Sequence, residues 1–103
     1  MEWIEQDIIE LLDNRLDAVE QAILVIYARQ TPTEQDTGRT IELNYIGFNS
    51  YDASLGTYLA TYLQESDRNH LSGKFVAKAR HLIKKYRRQL AEIANESELR
   101  KVA

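Results

Sequence analysis

Apolar residues recur at steps of three and four along three stretches of the chain, which is the period of an amphipathic α-helix. The stretches run from Trp3 to about Arg29, from Tyr51 to Glu65 and from Gly73 to about Ala94. The polar pair Asp13-Asn14 leaves open whether the first stretch forms one helix or two. The pattern therefore predicts a mainly α fold, a small helical bundle of three to four helices.

Each predicted helix has a face that we expect in the core. In the first helix, the run Ala22–Tyr27 is apolar on nearly all sides and should lie deepest. The second helix carries an aromatic-rich stripe of Tyr51, Leu55, Tyr58, Leu59 and Tyr62. The third helix has Ser72 as its expected N-cap, and its apolar face consists of Phe75, Ala79, Leu82, Tyr86, Leu90 and Ile93.

Polar and apolar residues alternate between the first two helices, from Thr40 to Ile46. Alternation is the period of an extended chain, but the sequence offers no second run of this kind as a partner. The segment at about 40–46 is therefore either an extended loop or short strand segment packed on the helices, or an edge that pairs with a second copy of the chain.

The length of 103 residues fits a single domain, 1–103. Within it we expect an acidic N-terminal extension at 1–14 and a frayed tail at 96–103. The chain has no cysteine, which excludes disulfides and thiolate chemistry. Its first residues lack the basic and apolar regions of a signal peptide, and no apolar run approaches the ~20 residues that span a bilayer. These features predict a cytoplasmic protein without a membrane segment.

The net charge of −3 conceals a strong division along the chain. Residues 1–36 contain nine acids and two bases, whereas residues 68–103 contain ten bases and three acids. The last predicted helix thus has a basic face as well as an apolar one. Clustered Lys and Arg residues release counterions from phosphates, which is the electrostatic basis of nucleic-acid binding. The candidate nucleic-acid-binding residues are Lys74, Lys78, Lys84, Lys85, Arg87 and Arg88.

Two other interpretations of this basic face stay open. It is a solvated face whose charge balances the acidic first helix, or it binds an acidic protein surface. The tyrosines of the second helix also have two interpretations, because an amphipathic ring suits the edge of a core as well as a stacking platform for bases. Their helical spacing favours the core edge.

The stretch before the second helix combines a glycine, an aromatic residue and short polar side chains. One interpretation is a recognition loop that presents Asn44, Asn49 and Asp52 to a partner. The other, which we favour, is a loop-to-helix junction, because turns recruit the same residue types for their backbone geometry.

The sequence contains no motif for nucleophilic catalysis, phosphate cradling, dinucleotide binding or zinc-dependent hydrolysis. Its two histidines, His70 and His81, are too far apart to share one helical turn, and His81 falls on the basic face, which repels a cation. We therefore expect a non-enzymatic protein with no metal and no cofactor.

Several blocks of the sequence form a recognisable pattern, which includes a GFNxxDA motif and the basic helix; they are Ala22–Thr31, Glu34-Gln35, Gly47-Phe48-Asn49 with Asp52-Ala53, Leu71–Lys74, Ala77–Arg80 and Lys85–Leu90. In their order and spacing, these blocks resemble a family of small proteins carried by bacteriophages, plasmids and their bacterial hosts. Relatives of this kind occur beside helicase-like or other DNA-processing modules. The resemblance implies a role in DNA metabolism or in conflict between phage and host, and it carries no catalytic residues.

These observations predict a non-enzymatic accessory domain that contacts the backbone of DNA or RNA through the basic helix. A second hypothesis is a protein-interaction module of a phage or plasmid that docks on a host or replication protein. A third is a homodimer, in which an apolar seam from Ile41, Leu43 or Ile46 supplements the pairing of acidic and basic faces.

Overall fold

The computed structural model describes residues 2–29, 47–66 and 68–102, and the side chains among them up to residue 96. Within these ranges the chain forms five α-helices: α1 (Glu5–Asn14), α2 (Leu16–Ala28), α3 (Ala53–Glu65), α4 (Lys74–Lys84) and α5 (Arg87–Val102). The mainly α bundle is confirmed. It has five described helices rather than three to four because the first and last predicted helices are each divided in two. The expected strand or loop at 40–46 lies outside the described residues.

Helices α1 and α2 are separated by a single residue, Arg15, whose backbone is extended (φ −133°, ψ 116°). The Asn14 side chain donates to the carbonyl of Glu10 at 2.7 Å, and the Arg15 guanidinium pairs with Asp17. Asparagine competes for backbone partners in this way, which disfavours continuation of a helix. The break that Asp13-Asn14 left open is therefore real.

Helix α2 lies at the centre of the described bundle and contacts all four of the other helices. Its residues Val19, Ile23 and Ile26 are fully buried, as the apolar run predicts. Glu20 is also buried, although its side chain carries a carboxylate. Its carboxylate is compensated by hydrogen bonds to the segment that precedes α4.

The expected aromatic stripe of α3 is wrong for its tyrosines. Tyr51 is 88% exposed, Tyr58 is 56% exposed and Tyr62 is 37% exposed. The buried face instead combines three small residues, Ala53, Gly56 and Ala60, with Leu63 and with Leu59, which is buried as the stripe predicts. Gly56 leaves room for the Phe48 ring on this face, and the bulkier tyrosines are turned toward solvent.

The predicted basic helix is divided at Lys85-Tyr86 into α4 and α5. The amides of these two residues donate to carbonyls three positions earlier, at 3.2 and 3.0 Å, which tightens the turn. Ala79, Leu82, Tyr86 and Leu90 are buried, so the expected apolar face is confirmed at these positions.

The N-cap expected at Ser72 is wrong. Helix α4 begins one residue later, after Gly73, whose φ of +57° is a conformation that glycine adopts readily. Ser72 contributes its backbone carbonyl, which accepts from Phe75 N at 3.2 Å.

Helix α1 is an integral part of the bundle rather than an appendage. Ile8 and Leu12 are buried, and α1 contacts α2, α4 and α5. The backbone of Trp3 makes two hydrogen bonds with the Asn95 side-chain amide on α5, at 2.7 and 3.0 Å. None of the helices in the described part of the chain combines the length and apolar character needed to cross a membrane.

Candidate nucleic-acid interface

The GFNxxDA segment forms a junction that is fastened to α5. Gly47 has a φ of +81°, and its backbone N–H and C=O both bond to the Gln89 side-chain amide, at 3.1 and 3.3 Å. Phe48 is fully buried and packs edge-on against Tyr86, with ring centroids 5.4 Å apart. A Cβ on Gly56 would overlap the Phe48 ring, so the glycine makes room for this plug.

Asp52 is the buried polar centre of the junction, with 3% of its surface exposed. Its carboxylate accepts from Tyr86 Oη at 2.8 Å and from Lys85 Nζ at 3.0 Å. Asn49 closes the network, because its side-chain oxygen accepts from Asp52 N and its backbone N–H donates to Tyr86 Oη. Burial raises the pKa of the Tyr86 phenol and the neighbouring Asp52 charge acts in the same direction, so the hydroxyl stays protonated and donates.

Of the three residues in the recognition-loop hypothesis, the structure thus brings Asn49 and Asp52 together in one hydrogen-bond network. Asn44 lies outside the described residues. The contacts of Asp52 are all internal, which is the geometry of a loop-to-helix junction.

Four of the six candidate cations already have a carboxylate partner within the fold. Two partners are on the acidic helix α1: Asp13 pairs with Lys84, and Glu5 lies 3.5 Å from Arg87 Nε. The other two pairs are Lys85 with Asp52 and Arg88 with Glu92, the latter at 3.7 Å. Charge segregation along the sequence is therefore partly cancelled in space.

Lys74 and Lys78 differ from these four because they have no ion-pair partner among the described carboxylates. Both are exposed on α4. Their ammonium groups lie 5.8 and 6.0 Å from the centroid of the Phe75 ring, within the range of a cation–π contact. Cations held against an aromatic ring keep their charge available to an anionic ligand.

Exposed tyrosines lie on α3 and just before it. The Tyr58 ring lies against Phe75, with centroids 6.0 Å apart and planes tilted by 33°. Lys85 Nζ lies 5.5 Å from the Tyr51 ring, which is almost wholly exposed. We define the tyrosine–lysine face as Tyr51, Tyr58, Lys74, Phe75 and Lys78.

The sequence left a stacking platform open for the tyrosines of this face but favoured the edge of the core. The available signal was the spacing of Ala53, Gly56 and Ala60, which marks the side of α3 that packs closely and hence the side that does not. Hydrophobicity alone assigned the tyrosines to the core, because a tyrosine ring satisfies an apolar pattern whichever way it points.

Comparison with known proteins yields no match to a family model, to a curated protein or to a solved structure. Among the described residues, no group of three or more His, Asp or Glu side chains is arranged to hold a metal ion.

Proposed function

We propose that this protein is a non-enzymatic module that binds single-stranded nucleic acid through the tyrosine–lysine face. The supporting observation is the interleaving of cations and rings on one exposed surface, where Lys74 and Lys78 flank Phe75 and Phe75 packs against Tyr58. Proteins that bind single strands combine these same two elements, with basic groups along the backbone and rings under the bases.

A single strand fits this face better than a duplex because its bases are unstacked and available to rings. Tyr51 and Tyr58 expose most of their surface, so a base can stack on either without rearrangement of the core. The sequence shows no base-reading motif, so the binding is expected to tolerate many sequences.

Among the six sequence candidates, the proposal gives the phosphate contacts to Lys74 and Lys78. A phosphate at Lys84, Lys85, Arg87 or Arg88 would compete with a carboxylate that is already paired with the cation. Lys85 has the strongest such partner, because the side chain of Asp52 is 4% exposed and would be left without this cation.

The biological setting stays a prediction from the resemblance to phage- and plasmid-borne proteins. Docking on a host or replication protein, and a homodimer through Ile41, Leu43 or Ile46, also stay predictions. The segment expected to carry that dimer seam lies outside the described residues.

The test is fluorescence anisotropy of a labelled single-stranded oligonucleotide over a range of salt concentrations. We expect binding at ~50 mM salt. The double variant Lys74→Gln with Lys78→Gln should make the fall of log K with log salt less steep by about 1.4, or ~0.7 for each lost phosphate contact. A variant with Arg15→Gln and Arg88→Gln is the matched control, because it removes the same charge from cations that face Asp17 and Glu92.

The control should leave the salt slope unchanged. Absence of binding at ~50 mM salt, where phosphate contacts are strong, would contradict the proposal. Equal losses in the two double variants would show that net charge, and not this face, governs the affinity.

A further inference from the structure

A groove lies at one end of the tyrosine–lysine face, where the segment before α4 passes over α3. It is lined by residues of α3, of the segment before α4 and of the first turn of α4, namely Tyr58, Leu59, Tyr62, His70, Leu71, Ser72 and Phe75. Its volume is about 160 Å³, below the ~300–1,000 Å³ of pockets that enclose a drug-sized ligand. A groove of this size suits a single planar ring system that stays attached to a larger molecule.

Two hydrogen bonds tie the segment before α4 to Tyr62 of α3, on the lining of the groove. The Asn69 side chain donates to the Tyr62 carbonyl at 2.7 Å, and Tyr62 Oη donates to the His70 carbonyl at 3.4 Å. Leu59 and Leu71 are buried and form an apolar floor.

The buried Glu20 carboxylate orients the imidazole of His70. Its Oε1 lies 3.1 Å from His70 Nδ1, and its Oε2 accepts from Leu71 N at 2.7 Å. Since a carboxylate only accepts, the Nδ1 atom carries the proton, and the Nε2 atom of a neutral ring is left as an acceptor. The His70 side chain is 68% exposed, so Nε2 and the Ser72 hydroxyl can meet the polar edge of a ligand.

From this arrangement we propose that the groove binds the base of a nucleotide, while Lys74 and Lys78 contact its phosphate. Three aromatic rings supply stacking, His70 and Ser72 supply hydrogen bonds to the base edge, and the two lysines supply charge complementarity. That this nucleotide is part of a single strand rests on the proposed function. The groove chemistry itself also fits a free nucleotide.

Titration with adenosine monophosphate, followed by amide NMR of the full chain, tests the groove separately from oligonucleotide binding. We expect the amide chemical shifts of residues 70–75 to change as the concentration of adenosine monophosphate is raised to about 10 mM. Ribose 5-phosphate, which lacks the base, should not reproduce these changes. Tyr62→Ala should weaken nucleotide binding at least about fivefold, the lower end of what one ring–base stack contributes.

The matched control is Tyr51→Ala, which removes an exposed tyrosine that does not line the groove. It should leave the affinity for the mononucleotide unchanged and weaken the oligonucleotide alone. A second variant, Ser72→Phe, places a ring in the mouth of the groove on an exposed residue and should abolish the shifts with the fold intact.

Three results would overturn the inference. These are no chemical-shift changes with adenosine monophosphate, equal changes with ribose 5-phosphate, or equal losses of affinity for adenosine monophosphate in the Tyr51 and Tyr62 variants. If the oligonucleotide binds through Lys74 and Lys78 but these results are found, the groove assignment fails and the proposed function stands. If the mononucleotide binds in the groove and no oligonucleotide binds, the proposed function fails and the groove is a site for free nucleotides.

Discussion

One hydroxyl group, that of Tyr86, joins three parts of the molecule. It donates to Asp52 at the start of α3, accepts from the backbone of Asn49 in the junction, and extends from the turn between α4 and α5. The ring below it packs against Phe48. The residue is 6% exposed, so a lost partner here could not be replaced by bulk water.

Replacement of Tyr86 by phenylalanine keeps the ring and removes the hydroxyl. We expect a loss of about 1–3 kcal/mol in the free energy of unfolding, because Asp52 loses a donor and Asn49 N–H loses its acceptor. Urea denaturation at neutral pH measures the loss. Tyr58→Phe is the control, because that residue is 56% exposed and its change should stay within about 0.5 kcal/mol.

The same variant has an alkaline signature. Burial raises the pKa of Tyr86 above the ~10 of an unfolded tyrosine. A raised pKa means that the hydroxyl stabilises the fold fully below about pH 10, and that this contribution is lost as the pH rises through the folded-state value. The stability gap between the natural chain and Tyr86→Phe should therefore narrow above about pH 10. A gap that stays constant into that range would contradict the assigned role.

At the scale of elements, the sequence marked a possible helix boundary only where local chemistry decides it. The break between α1 and α2 follows from polar residues that compete for backbone partners. The break between α4 and α5 has no such local signal, since Lys85 and Tyr86 are both acceptable in a helix. Each of these two residues contacts Asp52, more than thirty positions earlier in the chain, and periodicity cannot reveal a partner at that distance.

The sequence did not predict which face of α3 is buried, for a related reason. A hydropathy pattern selects the largest apolar residues, whereas α3 packs through Ala53, Gly56 and Ala60. The Phe48 ring occupies the space above Gly56, and this contact depends on a loop outside the helix. The tyrosines consequently became part of the candidate site, although the sequence favoured them as core-edge residues.

Helix α1 tests how far the bundle depends on its acidic N-terminal segment. Leu12→Ala should cost about 2–5 kcal/mol, because the side chain is 1% exposed in the core shared with α2, α4 and α5. Ile4→Ala, one residue before the helix and 57% exposed, should cost less than about 0.5 kcal/mol. Chemical denaturation of the two variants decides between an integral helix and an appendage, since an appendage would tolerate both substitutions equally.

For the whole molecule, the decisive property is how the acidic and basic poles meet. The sequence reveals two poles but not their pairing, because the ion pairs join residues that are about seventy or eighty positions apart. Lys84 and Arg87 face α1, where they form ion pairs with Asp13 and Glu5. Phe75 faces α3, where it meets Tyr58, and Lys74 and Lys78 cluster around its ring. The basic segment thus has one edge whose cations pair with carboxylates of α1, and another edge where Lys74 and Lys78 have no ion-pair partner among the described carboxylates.

This division predicts the response to neutralising the acids of α1. A variant with Glu5→Gln and Asp13→Asn uncovers Arg87 and Lys84 without touching the tyrosine–lysine face. Exposed ion pairs contribute about 0–1 kcal/mol each, so the protein should stay folded. Because the proposed strand lies on the α3 side, the salt slope of oligonucleotide binding should stay unchanged.

Glu10→Gln with Glu65→Gln makes the same change in net charge at exposed acids that form no ion pair with the described cations. The two double variants should therefore show equal, small gains in affinity. A slope steeper by about 1.4 in the first variant alone would correspond to two added phosphate contacts, and it would move the binding surface from the α3 edge to the α1 edge.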